Sequence, residues 1–107
     1  MTDARTWLDQ VEARTNAATD GPWRVDRWEE VFSAEVTYSV TGDTSVADRV
    51  EDNRDAEFIA HARTDLHAAI TALRAVLDLL DGPRARITGH VTAADVRAAI
   101  TTGLEDA

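Results

Sequence analysis

The chain has 107 residues, enough for about one domain and too few for a second core of useful size. Its 20 acidic residues outnumber 11 basic ones, and a net charge of -9 offers no basic field to a nucleic-acid backbone, so direct nucleic-acid binding is not expected. There is no cysteine, which excludes disulfides, thiolate nucleophiles and thiolate metal sites together.

In chain order, "TDARTWLDQVEARTNAA" carries Ala4, Trp7, Leu8, Val11 and Ala18 at helical spacing, with Thr2 or Asp3 available as N-cap. This predicts an N-terminal helix within residues 1–20, closed at "TDGPW" by a left-handed Gly21 and by Pro22, which cannot continue a helix. The period then changes. "WRVDRW" sets Trp23 and Val25 on one face against Arg24, Asp26 and Trp28 on the other. "VFSAEVTYSVT" alternates Phe32, Ala34, Val36, Tyr38 and Val40 with polar neighbours, the pattern of a half-buried strand. "TGDT" supplies a turn, and "SVADRV" returns with Val46, Asp48 and Val50 on one face. Residues 22–51 therefore read as a three-stranded antiparallel meander.

A long helix follows over residues 52–81, capped by Asp52 or Asn53 and stopped at "DGP". At the standard rise it runs roughly 40 Å, more than a three-stranded sheet can cover. The tail "HVTAADVRAAITTGL" carries Thr92 as N-cap with Asp95 three residues on, opening a terminal helix within 91–104. The expected fold class is α+β, one domain over 1–107: N-terminal helix, three-stranded antiparallel sheet, one long helix, short C-terminal helix. The start "MTDARTWLDQ" has no basic segment followed by an apolar run, which sets the expectation of a cytoplasmic chain with no membrane partner.

The long helix carries Ala56, Ile59, Arg63, Leu66, Ile70, Leu73, Leu77 and Leu80 on one stripe. Its leucine-rich half, Leu66, Ile70, Leu73, Leu77 and Leu80, is expected to pair with another copy, giving a homo-oligomer; the first and last helices of the same chain are the competing cover. Arg63 interrupts the stripe. Either its stem packs in the seam while its head reaches solvent or a carboxylate, or it marks an anion pocket between helix and sheet.

Two short motifs, Gly21-Pro22-Trp23 after the first helix and Asp55-Ala56-Glu57-Phe58-Ile59-Ala60 opening the long one, carry a resemblance. The chain resembles the Ead/Ea22-like group of small phage and prophage proteins, particularly those of actinobacterial phages, over roughly residues 8 to 80. The resemblance implies an accessory phage product acting in the host cytoplasm, in settings that touch host defence or the lysis and lysogeny decision. It brings no catalytic residues with it.

The residues give no catalytic constellation either. His61 and His67 are six positions apart, about 240° around a helix, and His90 lies elsewhere, so no metal site is expected. The serines lack a nucleophile-elbow context, the glycines form no phosphate loop, and no cofactor is expected. Glu29 and Glu30 read as solvated carboxylates at a turn.

Binding is more promising. Trp23, Arg24, Arg27 and Trp28 fall within six residues, and on a strand Arg24 shares a face with Trp28 and Trp23 with Arg27. An indole plate beside a guanidinium suits a stacked base with its phosphate held by arginine, the more so if Arg49, Arg54 or Arg63 converges there. The plain alternative makes both tryptophans core anchors. The ligand-binding set is thus Trp23, Arg24, Arg27, Trp28 and Arg63. The leading expectation is a non-catalytic phage protein that sequesters a nucleotide-derived host signalling molecule. The alternative is an acidic inhibitor that blocks a host protein, in the manner of a nucleic-acid mimic.

Overall fold

The computed structural model describes residues 3–107. The elements are α1 (Ala4–Ala17), β1 (Arg24–Glu29), β2 (Val36–Thr41), β3 (Ser45–Val50), α2 (Asn53–Leu80), α3 (Pro83–Thr88) and α4 (Ala93–Glu105). This is the α+β arrangement read from the sequence, with the short α3 added. Among the described residues no helix is long and apolar enough to cross a membrane. Thr2, one of the two caps expected for α1, lies outside the described residues; the carbonyl of Asp3 accepts from Trp7 N–H at 2.9 Å and so opens the helix.

Contacts concentrate in two compact units, one of Arg14–Asp65, the other of residues up to Ala13 together with Leu66–Ala107. In the first, β1, β2 and β3 form an antiparallel sheet in that order. Val40 is fully buried with Ala56 and Ala60, against which Trp23, Val25, Tyr38, Val46, Val50 and Ile59 pack. Alanines four apart let the start of α2 lie close on the sheet. Asp52 caps that start: its Oδ1 accepts from Arg54 N–H at 2.8 Å, and its carbonyl accepts from Ala56 N–H at 3.2 Å.

Three local expectations are corrected. The second strand begins at Val36 and not at Val31, because Glu30 N–H bonds Glu35 O at 2.8 Å and Ala34 takes a left-handed φ of 56°, turning residues 30–35 into a loop. Phe32 and Ala34 therefore leave the strand face they seemed to share with Val40. Along β3, Val46, Asp48 and Val50 do not share a face, since the pairs Tyr38↔Val50, Val40↔Ala47 and Thr41↔Ser45 insert extra β3 residues, and Arg49 sits at φ 54°. Val46, Ala47 and Val50 all reach the core while Asp48 and Arg49 stay exposed. Finally, α1 ends at Ala17 and Gly21 is not among the residues at positive φ; the left-handed glycine is Gly89, which closes α3 at φ 70°. What Gly21 supplies is room, since a Cβ there would lie 3.3 Å from a guanidinium nitrogen of Arg63.

In the second unit Leu8 and Val11 of α1 are buried with Ile70 of α2, and Leu77 packs against them. The expected leucine stripe therefore divides: Ile70 and Leu77 serve the chain's own core, whereas Leu66, Leu73 and Leu80 remain exposed. Arg5 bonds Asp81 at 2.6 Å and Asp78 at 3.4 Å; Arg74 bonds Asp9 at 2.7 Å and Glu12 at 2.8 Å. Next to Leu80, Gly82 and Pro83 end α2 and start α3. The capping box on α4 forms as read: Thr92 Oγ1 accepts from Asp95 N–H at 3.1 Å, and Asp95 Oδ2 accepts from Thr92 N–H at 3.2 Å. Gly103 sets α4 against Ala72 of α2.

Candidate functional site at the end of the sheet

Strand alternation sends Trp23 and Trp28 to opposite sides of the sheet. Trp23 packs in the core, and its Nε1 donates to Thr19 O at 2.8 Å. The tip of the β2–β3 loop closes on the same segment, where a Cβ on Gly42 would meet the Asp20 carbonyl oxygen and lie 2.5 Å from Trp23 Cδ1. Trp28 is 63% exposed and held by one edge, its Nε1 donating to the buried Ser39 Oγ at 3.0 Å.

Trp28 forms part of the wall of an open cavity of about 280 Å³, with Thr37, Arg49 and the carboxylates of Glu29, Glu30, Glu35 and Glu51. An aromatic and an arginine do line one cavity here, but the arginine is Arg49, from the irregular part of β3. Four glutamates against one arginine leave the cavity negative, which repels a phosphate and attracts a cation. Beyond it, the β1–β2 loop raises Val31 and Phe32 into solvent, Phe32 with 98% of its surface exposed. Among the described residues no three His, Asp or Glu side chains are grouped to hold a metal ion.

The other predicted ligand residues are dispersed. Arg24 lies 3.5 Å from Asp26, and Arg27 lies 3.4 Å from Glu29, each guanidinium answered by an acid on its own strand. Arg54 closes on Asp52 at 2.7 Å, and this bond, with that from Arg54 N–H, holds the Asp52 carboxyl down to about 2. Arg63 comes from the other side of the sheet's core. Its Nη2 is 3.8 Å from Asp20, its side chain is partly buried, and its Nε is buried with no hydrogen-bond partner.

The two motifs behind the family resemblance meet in this unit. Trp23 packs in the cluster that includes Ala56, Ile59 and Ala60, and the Arg63 head lies beside Gly21. Their visible job is to join the Gly21-Pro22-Trp23 corner to the start of α2. Sequence reasoning missed the four glutamates of this cavity, since Glu29 and Glu30 look like ordinary turn carboxylates until the loop adds Glu35 and the end of β3 adds Glu51 to the same lining. The sole local signal was the density of acids around an aromatic, Trp28-Glu29-Glu30-Val31-Phe32. No known protein family, characterised protein or solved structure matches this chain.

Proposed function

We propose that the chain is a non-catalytic binding protein that blocks a host protein, docking on it through the acidic, aromatic end of the sheet. One observation carries the reading: among the described residues Phe32 is the most exposed large hydrophobic side chain, and it stands in the loop between Glu30 and Glu35, two of the four glutamates that line the cavity with the open Trp28. An apolar knob with an acidic surround fits a partner pocket with a basic rim, where burying a phenylalanine contributes about 1.5–3 kcal/mol and complementary charge speeds encounter. Basic rims of this kind belong to proteins that hold nucleic acid, so the -9 chain would occupy such a surface as a mimic. The resemblance to Ead/Ea22-like phage proteins adds a setting, an accessory product acting on host defence or regulation.

The test is a photo-crosslinker placed at position 31, with captured proteins identified by mass spectrometry from host lysate. A stoichiometric partner that is lost in Phe32→Ala and released by salt supports the reading. A partner indifferent to both would sink it.

A second reading has its own observation. Arg63 Nε is buried without an acceptor, and a guanidinium with a spare donor suits a phosphate. On this reading the protein sequesters a nucleotide-derived host signalling molecule and releases it unchanged on denaturation. Calorimetry against cyclic nucleotides and NAD-derived molecules separates the two: heat that vanishes in Arg63→Gln, with the variant still folded, favours sequestration.

A further inference from the structure

We infer that two copies of this chain pair through one side of the helical unit formed by residues up to Ala13 and Leu66–Ala107. The two sides of that unit differ in kind. One is laced by ion pairs, Arg5 with Asp78 and Asp81, Arg74 with Asp9 and Glu12. Helical spacing puts Trp7 on the flank of α1 away from Arg5, Asp9 and Glu12. It likewise puts Leu66, Leu73 and Leu80 on the flank of α2 away from Arg74, Asp78 and Asp81.

Helix α4 completes that side. Gly103 meets Ala72, and Asp95, Ala98, Ala99 and Thr102 line a groove with Ala75, Asp78 and Leu79. Ile100 and Leu104 therefore fall on the opposite flank of α4, toward Leu73 and Leu80. The result is one face of Trp7, Leu66, Leu73, Leu80, Ile100 and Leu104, all large and apolar and each between 39% and 50% exposed.

Three features point to a second copy as the occupant. Leu66, Leu73 and Leu80 repeat every seven residues on the central helix and so form one straight exposed row that can lie along its own image, the interleaved Ile70 and Leu77 being taken by the chain's own core. The leucine row itself carries no charge and meets its own image across a two-fold axis without repulsion, while the same spacing sets Arg97, seven residues before Leu104, on the α4 flank of the face. Six such side chains about half exposed offer on the order of 500 Å² of apolar surface. That is close to the apolar share of the roughly 800 Å² per partner that a stable homodimer interface covers. It is also near the upper limit of apolar patch left bare on a monomer.

The absence of cysteine permits a direct test. Leu73→Cys should cross-link copies under mild oxidation, whereas Asp9→Cys on the ion-paired side should not. In sedimentation velocity the wild type should be a dimer, and Leu73→Glu, checked for helix content by circular dichroism, should weaken pairing by at least ~100-fold. If Leu73→Glu fails to fold, Leu73→Gln and the cross-linking pattern decide. A wild type that stays monomeric at ~100 µM, or cross-linking that is stronger at position 9 than at 73, overturns the inference.

Discussion

Gly103 sits inside α4, where a glycine ordinarily costs about 1 kcal/mol relative to alanine. Here the missing methyl is what lets two helices touch: a Cβ would fall 2.6 Å from Ala72 Cα, backbone that cannot rotate away. Gly103→Ala is therefore expected to lower stability by ~1–3 kcal/mol in denaturant melts despite its better helix propensity. An unchanged midpoint would mean that α4 shifts freely on α2. Asp52 makes a prediction of opposite character, in charge and not in volume. Its carboxyl, pulled from an ordinary 3.8 to about 2 by Arg54, adds stability that is complete above the ordinary value and is lost as pH falls through about 2. Thermal melts of Asp52→Asn should trail the wild type at neutral pH and converge with it below pH ~2. The same gap at every pH would assign the cost to shape.

Elements differ in how openly the sequence announces them. The starts of α2 and α4 are legible because Asp52, Thr92 and Asp95 both name the cap and form it. The stop at Asp81–Pro83 is legible for the same reason: glycine and proline act locally. But Pro83 also opens α3, since proline suits a first helical turn as well as it ends the previous helix, and a six-residue helix has too little period to be seen. The failures at β2 and β3 share one cause. Alternation in sequence predicts a face only if register is unbroken, and the left-handed Ala34 and Arg49 break it where neither residue type gives warning. Ala34 invites a measurement. A non-glycine residue at φ 56° is strained by roughly 1–2 kcal/mol, so Ala34→Gly should raise stability by about 0.5–1 kcal/mol after the added chain entropy is counted. A loss would show that the loop's methyl packs on something it needs.

At the scale of the molecule, the candidate site was half legible. That residues 23 and 28 take opposite faces follows from the period alone, but the period does not say which face is the core, and so does not distinguish a packed Trp23 from an open Trp28. Which arginine and which acids gather round Trp28 depends on the β1–β2 loop and the β3 irregularity, contacts between residues distant in sequence that no local pattern encodes. The leucine stripe was likewise visible, but its division between a core pair and an exposed row depends on where α1 lies. The chain's three indoles end up in three different situations. Trp23 is locked in the sheet's core, Trp7 belongs to the apolar helical face, and Trp28 stands at the acidic tip. Each is thus an optical reporter of a different event. In variants that keep one indole and replace the others with phenylalanine, acrylamide should quench Trp28 strongly at all concentrations and Trp23 weakly until unfolding. Trp7 should lose accessibility as protein concentration rises, and a Trp7 signal independent of concentration would contradict pairing through that face. Dye-free fluorescence can therefore follow folding, self-association and docking separately in one small protein.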